Sequence, residues 1–432
     1  MICSAVLVSP SWALGGDAIG NDVPSARAAG QGYVGIAGQN NDPIVVYENP
    51  AALTSLKGTQ ITIGGTWENF HGDYEDNTGS TAKMRSLDVG IPNFAVTQSF
   101  MDGKIGAGLS VGDPYGLETH WSGDSPLRYT ATNSVMHIVT VSPAVAYQID
   151  PMVSVGLGGD YFNVFDASLE KHIDSTAVNY ANGYFASSPD ANSRLDGTGT
   201  NWGYHAGVVL QPNEQNSFGL TYHSKVKLTI TGTASITGMS GVAATLFGGP
   251  EAQTSAFTDI FIPQNIQLGY AYKPTDRWTL EADTAWYDWN SSRDINIRYT
   301  DPRFTALSAA VNPRPTNWRN EWTAATGANY KATDRLQLRG GFWYIPATSP
   351  DSTFSPAFMD LSRYAVCAGA GYKLTDALTI DFAYNAIFFH SRQIDNTLTA
   401  GAALPPNNTV SGNYSNFTNL VALNFTYRFG AK

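Results

Sequence analysis

The sequence predicts an all-β fold: a transmembrane antiparallel β-barrel of about fourteen strands with an N-terminal hatch, or plug, inside its lumen. Three observations predict it. Segment after segment of the 432 residues alternates bulky apolar with polar side chains, and period-two alternation is the β-strand signature. No stretch supplies the roughly 18 uninterrupted apolar residues that a spanning helix needs. The connections sort by length, tight at one end and long and polar at the other, as periplasmic turns and extracellular loops do.

In chain order, Met1 to Val8 is apolar and is followed by Ser11-Trp12-Ala13, a small-x-small cleavage signature, so residues 1–13 read as a signal-peptide remnant. Residues 14–57 are rich in Gly and Ala and show no strand pattern. Their apolar content (Ile36, Ile44, Val45, Val46, Tyr47, Leu53) argues against disorder. Fourteen strands enclose more space than their own side chains fill, so this segment is expected to fold inside as a hatch. Residues 58–432 then form the barrel, with strands at 59–70, 84–100, 103–113, 134–149, 152–167, 200–211, 215–231, 261–274, 277–289, 318–331, 334–345, 363–374, 377–390 and 417–429. Long polar loops are expected near 71–83, 114–133, 168–199, 232–259, 290–317, 346–362 and 391–416.

The last strand illustrates the pattern. Val421, Leu423, Phe425, Tyr427 and Phe429 share one face, and Ala422, Asn424, Thr426 and Arg428 the other. Its partner in closure is expected to be the first strand, near Thr59 to Phe70. Glu281 and Asp283 oppose Trp278, Leu280 and Ala282, and Asp381 opposes Ile380 and Phe382. Charges on the inner face of a soluble sandwich cost several kcal/mol each; a water-filled barrel makes them cheap. Tyr and Trp near strand ends, such as Trp286, Trp322 and Tyr372, suit an interfacial girdle.

Composition narrows the function. Charged residues are 14%, against ~25% in ordinary soluble domains. A net charge of -11 excludes a nucleic-acid partner, which needs clustered Lys and Arg. After cleavage only Cys367 remains, a small packing residue in a strand. The seven histidines have no metal-ligand spacing, and no nucleophile motif or phosphate-cradling Gly loop occurs. Neither an enzyme, a metal nor a cofactor is expected.

Several segments resemble the FadL-type family of outer-membrane transporters for long-chain fatty acids and other hydrophobic compounds. They are Asn49-Pro50-Ala51-Ala52-Leu53, Asp113-Pro114-Tyr115-Gly116-Leu117-Glu118-Thr119, Arg128-Tyr129, Ile262-Pro263-Gln264, Trp318-Arg319-Asn320-Glu321-Trp322 and Asp360-Leu361-Ser362-Arg363-Tyr364. They occur in order over nearly the whole chain. One departure is Gly430-Ala431-Lys432 after Phe429, where such barrels usually end on the aromatic.

The resemblance implies passive, ligand-gated uptake across a Gram-negative outer membrane. Ligand is captured among the outer loops, held in an internal pocket against the hatch, and released sideways through a gap at strand three. The expected partners are a hydrophobic small molecule, outer-membrane lipid and lipopolysaccharide, with the chain a monomer. Ligand contacts are expected from Arg319 and Trp318, with Arg363, Arg128 and Lys171 as weaker candidates better explained as structural. Arg319 would pair with a fatty-acid carboxylate. Gly106, Gly108, Gly112 and Pro114 are expected to open the gap, since Gly in a strand marks a bend and Pro cannot donate to the ladder. The alternative for the glycines is close packing against the hatch, in which Asn49, Pro50 and Ala51 carry the motif. Binding would shift the hatch near Leu14 to Gly20. The apolar loop segments Met239 to Phe247 and Phe304 to Val311 are expected as short helices forming a capture groove, or else packing on each other. A different reading is a structural or adhesive barrel that binds surface partners through its loops.

Overall fold

The computed structural model describes residues 25–38, 41–309, 312–396 and 410–430. The expected signal-peptide remnant, the segment Leu14 to Gly20 and the last two residues lie outside the described residues. The wall comprises β1 (Thr59–Glu75), β2 (Leu87–Phe100), β3 (Ile105–Gly112, resumed at Gly116–His120), β4 (Asn133–Asp150) and β5 (Val153–Ile173). It continues through β6 (Ala191–Leu210), β7 (Asn216–His223, resumed at Val226–Thr237), β8 (Ala252–Ile262, resumed at Asn265–Thr275) and β9 (Trp278–Tyr287). β10 (Glu321–Lys331), β11 (Leu336–Ile345), β12 (Arg363–Lys373), β13 (Leu378–Phe389) and β14 (Gly412–Phe429) complete it. Neighbours pair antiparallel, and β14 returns to β1 from Thr59↔Phe429 to Glu75↔Asn413. This closed fourteen-stranded antiparallel barrel, with the expected closing pair, leaves lipid no open edge.

Alternation decides which way each side chain points. On β14, Leu423, Phe425, Tyr427 and Phe429 are exposed on the outside, and Ala422, Asn424 and Thr426 are buried inside. Leu420, which broke the pattern in the sequence, packs inward beside Ala26 and Ala29. Cys367 is buried in the same cluster.

Several strands run past their expected ends. β5 reaches Ile173, β6 begins at Ala191, β7 reaches Thr237 and β8 begins at Ala252. These extensions project beyond the bilayer, where neither face needs a lipid-compatible surface, so the alternation fades although the ladder continues.

The N-terminal segment folds as α1 (Ala26–Gly30), α2 (Val45–Glu48) and a 3-10 turn at Pro50–Ser55. The Ser25 side chain accepts from the Ala28 amide at 3.1 Å and starts α1. The Asn49 side chain accepts from the Ala51 amide at 3.2 Å, with Pro50 fixing the first turn position. Ala26, Ala29, Val45, Val46, Ala51 and Leu53 are all buried against the inner wall.

Wall glycines let this segment approach closely. Gly219 and Gly269 are cross-strand partners, and a Cβ on either would meet Ile36 or Ala37 at under 3.0 Å. Gly327 and Gly341 do the same for Gln31 and Gly32.

The inner charges do not face open water, as the alternation had suggested. Asp283 accepts from the amides of Gly35 and Ile36 at 2.8 and 3.0 Å. Asp381 pairs with Arg339 at 2.6 Å and with Arg27 at 3.7 Å. The Asn424 side chain accepts from the Ala26 amide at 2.7 Å, and Ser217 donates to the Ala37 carbonyl at 2.7 Å. The wall thus satisfies the segment's peptide groups, as burial requires.

Replacing Gly219 with Leu should lower the thermal unfolding midpoint, by an overpacking cost of about 1–3 kcal/mol. Gly90→Ala, at a position where a Cβ meets nothing within 4 Å, should leave it unchanged. Equal midpoints for the two variants, read by circular dichroism in detergent, would refute close docking on the glycine pair.

Candidate functional site

The outer half of the barrel encloses an apolar cavity of about 130 Å³. Leu117, Met136, Leu169, Leu195, Ile230 and Ile260 line it from the strands, and Trp318 and Phe358 from the loops. Trp318 is buried and meets Trp289 and Phe358 edge-on, at 5.6 and 5.8 Å. Such pairs fix a large apolar surface in one orientation.

Two cations stand beside this cavity. A register shift in β5 between Val164 and Ala167 changes which alternate positions face inward. Leu169 therefore lines the cavity, and Lys171 is the next position on that face. Arg314 lies beside Trp318 and Phe358 in an adjoining small cavity. Both groups are beyond the bilayer-spanning part of the wall. Burial among protein atoms, with Arg314 close by, lowers Lys171 to about 8. Burial lowers Arg314 to about 10. Among the described residues neither forms an ion pair, although Asp360 lines the same small cavity as Arg314.

The other basic candidates are placed differently. Arg319 is exposed to solvent, and its backbone amide donates to the Thr348 carbonyl at 2.9 Å; it does not face the cavity that Trp318 lines. Arg128 is held by Asp190 at 3.2 Å and by the Tyr129 hydroxyl at 2.8 Å, a structural role. Arg363 is buried at the start of β12, 5.6 Å from the Trp343 ring. Arg314 escaped the sequence reading because it sits in an irregular loop with no motif. Residue counting does not place Lys171 on the cavity face, because the β5 register shift is invisible in the residue pattern.

Strand β3 is interrupted where Pro was expected to break it. The β2–β3 ladder ends at Phe94↔Val111, and wall pairing resumes only at an isolated bridge, Met84↔Trp121. Between them the wall has a window bordered by 112–119 on one side and 86–93 on the other. A Cβ on Gly112 would meet nothing within 4 Å. Gly106 and Gly108 lie elsewhere, inside the fully paired part of β3. Their faces press on Leu53 and Val46, so close packing explains them and only Gly112 and Pro114 border the window.

Behind the window lies a cavity of about 40 Å³ lined by Ile44, Tyr47 and Glu48 of the N-terminal segment and by Gly112, Asp113 and Pro114. A second, of about 90 Å³, shares Tyr47, Glu48 and Pro114 and adds Tyr115. Tyr115 is buried 6.3 Å from Phe162, between this space and the upper cavity at Leu117. Asn49 is fully buried and donates to the Ile36 carbonyl at 2.7 Å. Pro50 and Ala51 abut Gly156. This segment is thus fixed just below the window.

The loop helices form, as α4 (Gly241–Phe247) and α5 (Pro302–Ser308), joined by an unexpected α3 (Ser175–Ala181). Phe247 and Phe304 meet edge-on at 5.2 Å within one cluster that also holds Val178 and Met239. The packed alternative thus describes them better than an open groove. Leu246, Tyr184 and Phe185 remain exposed on this outer layer.

Comparison with known proteins places these features in a family. The family model described as outer membrane protein transport protein (OMPP1/FadL/TodX) matches residues 11–429. Outer membrane protein P1 of Haemophilus influenzae is 23% identical, over 94% of each chain. The long-chain fatty acid transport protein of Escherichia coli K12 is 19% identical, over 86% of this chain and 87% of its own. In three dimensions the chain resembles a Pseudomonas aeruginosa FadL homologue with a TM-score of 0.82, at 19% identity, covering 98% and 100% of the two chains. It also resembles the Pseudomonas putida toluene transporter TodX with a TM-score of 0.69, at 16% identity, covering 93% and 99%.

Proposed function

The chain belongs to the outer membrane transport protein family OMPP1/FadL/TodX, and we propose that it admits hydrophobic carboxylates, the long-chain fatty acid class, by passive diffusion. One observation carries the choice of substrate: Lys171 and Arg314 stand beside an apolar cavity and, among the described residues, form no ion pair. A fatty acid supplies an acyl chain for the cavity and a carboxylate for the pair, where charge-assisted hydrogen bonds form. A neutral hydrocarbon would leave two desolvated cations uncompensated. Within the family this favours the fatty acid transport protein of E. coli over the toluene transporter TodX as the guide to cargo.

The route runs from exposed Leu246, Tyr184 and Phe185 into the upper cavity. It passes Tyr115 to the spaces beside Tyr47 and Glu48, which act as the inner face of a hatch, and leaves through the window at Gly112 and Pro114. Sideways release suits the cargo, since an acyl chain gains nothing from an aqueous exit and gains burial on entering lipid. The chain works as a monomer, because closure leaves no strand edge to share, and its outer band meets lipid and lipopolysaccharide.

Binding of decanoate to the purified barrel should weaken by about tenfold or more in Lys171→Gln, as expected for losing a charged hydrogen bond of about 1.5–3 kcal/mol. Arg319→Ala should bind as wild type does, and methyl decanoate should not distinguish the variants. An effect in Arg319→Ala but not in Lys171→Gln would overturn the assignment.

A bound carboxylate favours protonated Lys171, whose value in the empty protein is about 8. Decanoate affinity should therefore hold below about pH 8 and decline above it, and Lys171→Arg should remove the decline. Titration calorimetry at a series of pH values reads this directly; a flat profile in wild type contradicts it.

Gly112→Phe should close the window without disturbing the upper cavity. Uptake into cells should fall about tenfold, a barrier increase of ~1.4 kcal/mol, while decanoate binding stays intact. Unchanged uptake would rule out this exit.

A further inference from the structure

We propose that Asp160, His205 and His223 form a divalent metal site, of the zinc type, at the junction between the wall and α2. Scattered in sequence, the three fall on neighbouring strands. His205 on β6 pairs with Gly158 of β5 on one side and His223 of β7 on the other. Asp160 lies two positions along β5 from Gly158, on the same inward face. A Cβ at position 158 would come within 2.2 Å of the His205 ring, so glycine there makes room for it.

One candidate ligand atom from each residue lies within 4.8 Å of the others. Tetrahedral ligand atoms each roughly 2.1 Å from zinc lie about 3.4 Å apart, so small side-chain rotations complete the set. Asp160, His205 and His223 are 2%, 0% and 4% exposed, so little water competes for the position. Two imidazoles and one carboxylate are a donor set that suits zinc and its first-row neighbours.

The surroundings match what metal-bound side chains require. His205 turns Nδ1 to the Asp160 carboxylate, at 2.9 Å, and Nε2 to the Val46 carbonyl, at 2.8 Å. With Nδ1 on a metal, Nε2–H donates to that carbonyl, the usual outer partner of a ligating histidine. Ser142 donates to Asp160 at 2.6 Å and orients the carboxylate.

His223 provides the independent observation. The Glu48 carbonyl faces its ring, and among the described residues no other hydrogen-bond partner reaches its nitrogens. With one nitrogen turned to that carbonyl, the other is left for a metal, the arrangement a ligating histidine takes. Its ring stacks on His205 at 5.2 Å and lies 4.7 Å from Tyr47. The metal would therefore fasten the wall to Val46, Tyr47 and Glu48, the part of the N-terminal segment that backs the β3 window.

The test is metal content after dialysis of the detergent-purified full chain against zinc and then metal-free buffer, read by mass spectrometry. Wild type should retain about one equivalent per chain. His223→Gln and His205→Gln should retain none, and Ser142→Ala should bind about tenfold more weakly, as loss of an outer-shell partner does. His120→Gln, at the separate His120–Glu118 pair at 2.7 Å, should retain the metal. Zinc should also raise the thermal midpoint of wild type and of His120→Gln, but not of the two ligand variants. Heat-modified gel mobility confirms that each variant is a folded barrel. Retention of no zinc by folded wild type, or equal retention by wild type and His223→Gln, would overturn the site.

Discussion

The structure depends on one constraint: a fourteen-stranded wall encloses more space than its own side chains fill, and every peptide group placed in that space must find a partner. The N-terminal segment bears on the first half of the constraint by packing its buried side chains against the inward face of the wall. The wall meets the second. Asp283, Asn424 and Ser217 engage the segment's amides and carbonyls, and the Asp381–Arg339 pair receives Arg27. The charges on the inner face are therefore fittings for an inserted chain rather than the lining of a pore. Removing one partner would leave a buried charge or dipole unmatched, which is costlier than never having placed it there.

Close approach and polar matching work together. The Asp283 contacts to the Gly35 and Ile36 amides, at 2.8 and 3.0 Å, are made where Gly219 and Gly269 leave no Cβ in the way, and Gly327 and Gly341 give the same close approach to Gln31 and Gly32. Glycine within a strand weakens it, so the wall gives up strand stability where the segment docks. Gly106 and Gly108 follow the same rule against Leu53 and Val46. Gly112, two periods of the alternation beyond Gly108, faces open space instead. The same residue type in one strand thus serves two purposes, divided at the point where the ladder to β2 stops.

The vertical order of chemistry in the lumen follows from these contacts. Above the segment the strands turn aliphatic side chains inward and enclose an apolar cavity, with Lys171 and Arg314 beside it. At the level of α2 the lining becomes polar, with Asn265, Gln267 and Asp283 around Tyr47 and Glu48. Apolar surface and positive charge thus lie together at the upper level, and the segment and the window in the wall lie beyond Tyr115.

Much of the fold was legible in the residues. Alternation in Phe417 to Phe429 fixed which side of β14 meets lipid, because side-chain direction in a strand is set by parity alone. Loop sorting gave the orientation, and Pro114 marked the break in β3, because proline cannot serve the ladder wherever it stands. The site was less legible for three physical reasons. A register shift in β5 reverses parity, so Lys171 could not be placed by counting. Arg314 is positioned by loop packing, which has no period. Asp160, His205 and His223 are brought together by hydrogen-bonded neighbours on three strands, a relation between segments that spacing along the chain does not encode. The sequence by itself determined a closed, lipid-facing barrel, since that follows from local chemistry repeated along the chain. Which charges meet the cavity, which glycines hold the segment and which histidines converge were decided only by tertiary structure, because each depends on the register between strands.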